Sequence, residues 1–235
     1  MENDRNSPTI GTVGDDQSDS HWRAKYLEMV RKELARLNAL DNLVGEEHEP
    51  VPPCFFYGTL MALPVLYNVV YHSPEPPEHM INHLTVRPAI LKDHRRRLVL
   101  YCEYPGLTAH PGSQVAGSFV CGLTKANLRE LHRFEGREYE LVPIKVDVLM
   151  ERTLGPPGPD GKPTYENEIW KEMDAMTYIY IAGEHRLVDR EWCFQNYMEN
   201  HLSSWSGLRA SSVSNQRFDA RGYWKDAVVV PKTED

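Results

Sequence analysis

The spacing of apolar residues divides the chain into an N-terminal helix and a strand-rich region that begins at Cys54. Between residues 22 and 40, apolar positions recur every three or four residues with charged residues between them, which predicts one amphipathic helix. From Cys54 onward, short apolar or alternating runs are separated by turn residues, which predicts about six strands and a few short helices. Few of these elements alternate as strand, helix and strand. The pattern therefore predicts an α+β fold with a mixed, mostly antiparallel sheet, closed as a small β-barrel with short flanking helices.

The boundaries of this organisation follow from changes in composition. Residues 1–20 are polar and acidic, which predicts a disordered tail. Residues 21–50 contain the amphipathic helix and an acidic, proline-containing linker, and residues 51–183 form the predicted folded domain. Residues 184–235 contain a C-terminal helix, predicted from Asp189 to His201, and a tail. The amphipathic helix could pack on the core or on a second subunit, so a homodimer stays open.

Turn signals place the limits of the predicted strands. Stretches rich in Gly, Pro or charge predict turns at residues 94–97, 104–107 and 110–113, and a longer loop at residues 154–168. The three arginines of the first turn indicate a solvated edge or turn rather than a phosphate site, because no further basic or aromatic residues extend them. The predicted strands after the first are residues 84–91, 98–102, 114–123, 141–150 and 175–182.

Composition limits the partners that the chain could have. Hydrophobic residues make up 41% of its 235 residues, enough for a sizeable core. The net charge of -8 and the pI near 5.7 argue against a nucleic-acid-binding surface. No signal peptide opens the chain and no apolar run reaches the roughly 18–20 residues that span a bilayer. We expect a soluble cytoplasmic protein without a nucleic-acid or membrane partner, and with reduced thiols because its four cysteines lie far apart.

The stretch Cys54–Leu60 has the clearest local pattern. Apolar and aromatic residues lead to Gly58, and Pro64 follows at the start of a second apolar run. This order predicts a buried strand, a tight turn and a helix with proline near its start. Glycine lets the backbone approach a ligand, and the first N–H groups of a helix have no partner within it, so the turn could hold an anion or carboxylate. An ordinary strand-to-helix turn fits the same local sequence.

Glu135 is the candidate for acid–base chemistry, because it ends an apolar helix between Phe134 and Gly136. Burial of a carboxyl in such a place raises its pKa and suits it to act as a general base near neutral pH. A surface glutamate at a helix end fits the same local sequence. Glu138 is the competing candidate, although its place before a strand predicts exposure to solvent. The ten histidines show no ligand spacing, so the sequence indicates no metal site.

Several motifs follow one another along the chain. They are Tyr57-Gly58-Thr59-Leu60, Tyr104-Pro105-Gly106-Leu107, Phe134-Glu135-Gly136-Arg137-Glu138-Tyr139 and Tyr178-Ile179-Tyr180. In this order and spacing, residues 54–182 resemble the γ-glutamylcyclotransferase-like family, to which the plant avirulence-induced-gene homologues and the γ-glutamylamine cyclotransferases belong. The resemblance implies a small mixed barrel with a cavity at one end.

The resemblance also implies roles for particular residues. The backbone N–H groups of the turn Tyr57–Leu60 would hold the α-carboxylate of a small γ-glutamyl substrate. Glu135 matches the catalytic glutamate of the family, which takes a proton from the α-amino group and returns one to the departing amine. Tyr139 and Tyr178 would line the cavity, or would be core aromatics with satisfied hydroxyls. No cofactor is implied, and the sequence leaves the identity of the leaving amine open.

These observations lead to an expected enzyme and to alternatives. We expect a γ-glutamylcyclotransferase-type acyltransferase or C–N lyase that releases 5-oxoproline from a γ-glutamyl amide or peptide. A related expectation is a tailoring step that removes a γ-glutamyl or glutathione-derived group. The alternative is a non-catalytic binding or interaction module on the same fold. Glu135 favours the enzyme, because a degenerate copy need not retain it. A scaffold that acts through residues 22–40 rests on the amphipathic pattern alone.

Overall fold

The computed structural model of the protein describes residues 48–156, 158–159 and 164–206. The predicted polar tail and amphipathic helix, and the end of the C-terminal tail, lie outside the described residues. The chain divides into two units, Met1–Gly45 and Glu46–Asp235, and all described residues belong to the second. The finer boundaries that the sequence predicts at residues 20, 50 and 183 stay predictions.

The described chain contains six strands, five α-helices and three 3₁₀ turns. The strands are β1 (Cys54–Phe56), β2 (Thr85–Val99), β3 (Pro105–Cys121), β4 (Tyr139–Leu154), β5 (Tyr165–Tyr180) and β6 (Leu187–Glu191). The α-helices are α1 (Leu63–Tyr71), α2 (Glu78–Ile81), α3 (Lys125–Glu135), α4 (Phe194–Asn200) and α5 (Leu202–Ser206). The 3₁₀ turns are Thr59–Met61, Gly136–Glu138 and Glu184–Arg186.

All six strands belong to one sheet that turns back on itself. Its order is β3-β1-β5-β4-β2-β6, and β3 pairs with β2 as well as with β1. The pairings are antiparallel except for that of β1 with β5, which is parallel at Cys54 and Met176. The prediction of an α+β fold with a mixed, mostly antiparallel and barrel-like sheet is therefore confirmed.

Strand β1 is buried on both of its faces. Successive side chains of a strand point to opposite sides of the sheet. Phe56 accordingly packs in the larger core cluster with Val65 and Leu66 of α1, while Phe55 packs with Phe119 in the second cluster. Burial on both faces fixes the end of β1, and with it the backbone that leads into the turn at Gly58.

The arginine run lies inside β2 and not in a turn. Residues 94–97 pair with β3, so the turn predicted there is wrong. The side chains of Arg96 and Arg97 are only 12% and 7% exposed, and they pair with Glu191 and Glu184. Partnered arginines can be buried where unpaired ones cannot. Both glutamates come from a distant part of the sequence, so the local charge pattern gave no sign of them.

Two other predicted turns are placed differently by the structure. The β2–β3 hairpin turns just before Pro105, which begins β3, so the turn predicted at residues 104–107 lies too late. Residues 110–113 form no second hairpin. They interrupt the register of the β2–β3 ladder between Lys92 and His94, as a bulge does. A bulge and a turn share the same glycine and proline signals, which explains the difference.

The C-terminal part of the fold also differs from the prediction. β5 extends well beyond the predicted strand 175–182 and includes the last residues of the predicted loop 154–168. Because β6 follows β5, the prediction that 175–182 is the last strand is wrong. Asp189 lies within β6, and the next helix begins only at Phe194. Three of the five residues of β6 are charged, so its sequence lacks the apolar alternation typical of a strand.

Candidate active site

The turn after β1 forms part of the wall of a cavity of about 120 Å³. Gly58 precedes a 3₁₀ turn in which the Met61 amide donates to the Gly58 carbonyl at 3.0 Å. A Cβ atom at Gly58 would lie 2.9 Å from Cγ of Pro105 and 3.1 Å from its Cδ. Glycine is therefore needed for the close packing of the Pro105 ring against this turn. The predicted order of strand, turn and helix is confirmed, with Pro64 in the first turn of α1.

Arg96, on strand β2, connects this turn to the sheet through hydrogen bonds. Its Nη1 atom donates to the carbonyl of Tyr57 at 2.7 Å and to the carbonyl of Ala116 at 3.1 Å. Its Nε atom donates to Glu191 at 2.9 Å, and its guanidinium lies 5.4 Å from the ring centroid of Trp192. One charged side chain therefore joins the end of β1 to β3 and β6 through charge-assisted hydrogen bonds. No local feature of the sequence around Arg96 indicates this role.

Helix α3 brings Glu135 to the same cavity. Thr124 caps the helix: its hydroxyl accepts from the Asn127 amide at 3.3 Å, and the Asn127 side chain accepts from the Thr124 amide at 3.0 Å. Gly136 ends the helix with φ of 67°, a conformation that glycine adopts without the strain imposed by a Cβ atom. The predicted helix, its cap and its end at Gly136 are confirmed, and Glu135 lines the cavity.

The Glu135 carboxyl is desolvated by the surrounding protein. Burial raises the pKa of Glu135 from its ordinary value of 4.5 to about 8. Among the described residues, no hydrogen bond or salt bridge joins this carboxyl to another side chain, so nothing offsets the loss of water. Burial likewise raises the pKa of Tyr139, and the nearby Glu135 carboxylate adds to that shift. A carboxyl with this pKa can exchange protons near neutral pH.

Glu138 also lines the cavity, so the prediction that it faces solvent is wrong. Its Oε2 atom accepts a hydrogen bond from the Tyr104 hydroxyl at 2.9 Å. Its Oε1 atom is paired with Arg186, from the 3₁₀ turn that precedes β6. The two carboxyls of the cavity therefore differ: Glu138 is held as a paired carboxylate, and Glu135 has no such partner among the described residues.

Three tyrosines form much of the inner wall, and their hydroxyls are engaged within the protein. The Tyr57 hydroxyl donates to the carbonyl of Tyr178 at 2.7 Å, and the Tyr139 hydroxyl donates to the carbonyl of Pro105 at 3.0 Å. The Tyr178 hydroxyl lies 3.1 Å from Nδ1 of His132. These bonds tie β1, β3, β4, β5 and α3 together around the cavity. With their hydroxyls engaged in this way, the three tyrosines line the cavity.

Trp205 of α5 completes the described lining, and sequence reasoning missed it. Its ring centroid lies 5.9 Å from that of Tyr104 and 5.9 Å from that of Phe134, with edge-to-face geometry in both pairs. Its Nε1 atom donates to Glu103 at 2.8 Å. The recurrence of apolar residues at Met198, Leu202 and Trp205, four and three residues apart, was the available signal, since it extends the helical pattern beyond the predicted end.

The chain is similar to a known protein family over most of its strand-rich region. The family model described as gamma-glutamyl cyclotransferase, AIG2-like, matches residues 54–194, which include the turn, Glu135 and Glu138. The chain belongs to this family. Membership supports a γ-glutamyl cyclotransferase-like enzyme in general terms and specifies neither substrate nor mechanism. No curated protein sequence matches the chain.

Solved structures of low sequence identity are similar to the chain. A solution structure from Arabidopsis thaliana is 22% identical, with a TM-score of 0.40, and covers 66% of this chain and 85% of its own. A protein named gamma-glutamyl cyclotransferase is 15% identical, with a TM-score of 0.42, covering 80% of this chain and 93% of its own. A yeast gamma glutamyl cyclotransferase specific to glutathione is 15% identical, with a TM-score of 0.35, covering 60% and 74%.

The described residues offer no sign of a membrane-spanning helix or of a cluster of metal ligands. No helix among them is both long enough and apolar enough to cross a membrane. In the same part of the chain, His, Cys, Asp and Glu side chains form no group of three that could hold a metal ion. The cytoplasmic location stays a prediction.

Proposed function

We propose that the chain converts a γ-glutamyl amide or peptide to 5-oxoproline and a free amine, with Glu135 as general acid and base. The observation that carries this proposal is that Glu135 and the turn Tyr57–Leu60 line one cavity. One group could therefore move protons while the other holds the substrate. Membership of the gamma-glutamyl cyclotransferase, AIG2-like family supports the same reaction.

In the binding step, the turn Tyr57–Leu60 receives the γ-glutamyl group. N–H groups at the start of a helical turn have no partner within the helix, so they can donate to the substrate's α-carboxylate. The same backbone orients the γ-carbonyl and offers N–H donors to the oxygen on which negative charge develops. Arg96 fixes the carbonyl of Tyr57 and so keeps this backbone in place.

In the chemical step, Glu135 moves one proton. Its carboxylate accepts a proton from the substrate's α-amino group, whose lone pair attacks the γ-carbonyl carbon. A C–N bond forms while the carbonyl electrons move to oxygen. The tetrahedral intermediate collapses, the amide C–N bond breaks, and Glu135 returns the proton to the departing nitrogen. Substrate atoms are divided between 5-oxoproline and the amine, and no water is consumed.

The reaction suits a small cavity, because nucleophile and electrophile belong to one molecule. Correct orientation of such an intramolecular attack can supply about 7–11 kcal/mol of the barrier reduction. The cavity must therefore bind the γ-glutamyl group in a bent conformation, with its α-amino nitrogen near its γ-carbonyl carbon. It must also place one base beside that amino group. Glu135, with its raised pKa, meets the second need.

The proposal is tested by measuring 5-oxoproline release from a panel of γ-glutamyl amides and dipeptides. We expect release from at least one member by the wild-type chain, and its loss in Glu135→Gln. Glu140→Gln is the matched control, because Glu140 is exposed on β4 and does not line the cavity. Binding of γ-glutamyl compounds without release of 5-oxoproline would favour the non-catalytic binding module.

A further inference from the structure

Trp205 contributes to the cavity from outside the segment that the family model matches. That match ends at residue 194, whereas the ring of Trp205 comes from α5. The matched segment therefore does not itself supply this part of the cavity. It packs against Phe134, which directly precedes Glu135, and against Tyr104, which precedes Pro105 in the wall.

The three rings of Tyr104, Phe134 and Trp205 are called the aromatic wall here. Both contacts made by Trp205 are edge-to-face, with interplanar angles of 76° to Tyr104 and 71° to Phe134. This arrangement is favourable for aromatic pairs and fixes the orientation of each ring. The wall is thus a rigid apolar surface, adjacent along the chain to the residue proposed to protonate the leaving nitrogen.

The polar atoms of the aromatic wall are already in use. The Tyr104 hydroxyl donates to Glu138 at 2.9 Å, and the indole N–H of Trp205 donates to Glu103 at 2.8 Å. Phe134 has no polar side-chain atom. The wall can therefore offer apolar contact to a ligand. Each of its two hydrogen-bond donors would have to leave its present acceptor before it could donate to a ligand.

The charges of the cavity point in the same direction. Its described lining contains Glu135 and Glu138 but no lysine, arginine or histidine. A carboxylate on the leaving amine would therefore meet no cation in that lining. A cation would gain little as well, because Glu138 is already paired with Arg186 and the proposed reaction engages the Glu135 carboxyl with the substrate's own α-amino group. An uncharged apolar group loses least on entering.

We propose that the aromatic wall is the subsite for the leaving amine and selects an aryl or alkyl amine over one that carries a carboxylate or a second amine. This inference rests on the proposed function, which supplies the γ-glutamyl half of the substrate. The reaction stays balanced: γ-glutamyl benzylamide would give 5-oxoproline and benzylamine. Trp205 is then a specificity-determining residue.

Steady-state kinetics of the full chain with four substrates test this selection. The substrates are the γ-glutamyl derivatives of benzylamine, methylamine, glycine and 1,5-diaminopentane. We expect kcat/KM for the benzylamide to exceed that for the glycine and diamine derivatives by at least about tenfold, the scale on which apolar pockets discriminate. In Trp205→Ala we expect about a tenfold loss with the benzylamide and less than about threefold with the methylamide.

Two control variants separate the subsite from a structural role of Trp205. Trp205→Phe keeps a ring and should retain most of the benzylamide preference. Trp170→Ala removes another partly exposed tryptophan, which lies on β5 outside the described cavity lining, and should leave all four values unchanged. An equal loss with methylamide and benzylamide in Trp205→Ala would contradict the inference, as would a wild-type preference for glycine or the diamine.

Binding separates a failure of this inference from a failure of the proposed function. N-benzylglutaramate and N-glutarylglycine lack the α-amino group and cannot cyclise, so calorimetry with them reports the subsite without turnover. If no γ-glutamyl compound releases 5-oxoproline but the benzyl compound binds at least about tenfold more tightly, in a manner that requires Trp205, the inference stands and the proposed function fails. Equal affinities for the two compounds would overturn the inference whether or not 5-oxoproline is released.

Discussion

At the scale of single residues, the two carboxyls of the cavity differ in their partners. Glu135 is desolvated and has no charged partner among the described residues, whereas Glu138 is paired with Arg186. Burial raises the pKa of Glu135 to about 8, whereas Arg186 and the Tyr104 hydroxyl hold the carboxylate of Glu138. Carboxyls that share a site but differ in environment take different roles. Glu135 is suited to move a proton, and Glu138 is suited to hold Tyr104 in the cavity wall.

The pH dependence of activity follows from the raised pKa of Glu135. The base form is the carboxylate, which becomes more abundant as the pH rises through about 8. We therefore expect kcat/KM for 5-oxoproline release to increase between pH 6 and pH 9 in the wild type. The residual kcat/KM of Glu135→Gln should not show this increase with pH. A wild-type profile that is flat over this range would contradict the assignment.

The same pKa shift makes a prediction about stability. The folded pKa of Glu135 is above its ordinary value of 4.5, so the folded chain binds this proton more tightly than the unfolded chain does. The wild type should therefore lose stability relative to Glu135→Gln as the pH rises from 4.5 to about 8, and no further above that. Urea unfolding of both proteins at several pH values measures the difference. A difference that does not depend on pH would show that the carboxyl is solvated.

Some residues of the cavity could be predicted from sequence because their signals are local. Glu135 follows an apolar helix and precedes a glycine, and Tyr57–Leu60 follows a buried strand. Arg96 and Trp205 could not be found in this way, because each acts through partners that folding brings from other elements. Glu138 was misjudged for the same reason, since its partner Arg186 lies on another element.

At the scale of elements, the turn at Gly58 depends on close contact with Pro105. A side chain at position 58 would overlap the proline ring, and such overpacking costs about 1–3 kcal/mol. We expect Gly58→Ala to destabilise the chain and to lower kcat/KM at least about tenfold by displacing the turn. Pro105→Ala removes the two clashing carbons and should partly restore both properties in the double variant. If the losses of stability and activity in the two single variants simply add in the double variant, overlap with Pro105 is not the cause of the Gly58→Ala defect.

The largely shielded side chain of Arg96, 12% exposed, makes a separate prediction. Arg96→Met leaves the carbonyls of Tyr57 and Ala116 without this donor, which should cost about 1–3 kcal/mol of unfolding free energy. Its neighbour Arg95 is the matched control, because it forms a pair with the largely exposed Asp189. Arg95→Met should cost less than about 1 kcal/mol. Equal losses in urea unfolding would show that Arg96 does not hold the turn.

The predicted elements were accurate where a local pattern decides them and inaccurate where tertiary contacts do. The cap at Thr124, the end of α3 at Gly136 and the proline-started α1 follow from side-chain chemistry within a few residues. β2 was divided in two because its charged residues suggested solvent. β6 was missed because its short polar sequence becomes a strand only by pairing with β2.

At the scale of the whole molecule, the cavity exists only when distant segments assemble. Its lining comes from the turn after β1, the start of β3, the end of α3, and residues of β4, β5 and α5. The barrel-like closure of the sheet brings these segments to one place. Residues from six separate parts of the chain must therefore be in place before the cavity is complete.

This assembly predicts that activity and tertiary structure are lost together. In urea, 5-oxoproline release and near-UV circular dichroism should show the same midpoint, because no single element carries the cavity. Loss of activity at a clearly lower urea concentration would contradict this. It would place part of the site, such as α5 with Trp205, in a segment that opens before the sheet.

The central claim is that Glu135 carries out proton transfer in the cavity that holds the γ-glutamyl group. The most direct test compares wild type and Glu135→Gln for 5-oxoproline release and, in parallel, for calorimetric binding of N-benzylglutaramate. The proposed mechanism predicts a fall in kcat of about 10²–10⁴, the usual contribution of general acid–base catalysis, with binding changed less than about threefold. Release of 5-oxoproline by Glu135→Gln at a rate within about tenfold of wild type would contradict the mechanism.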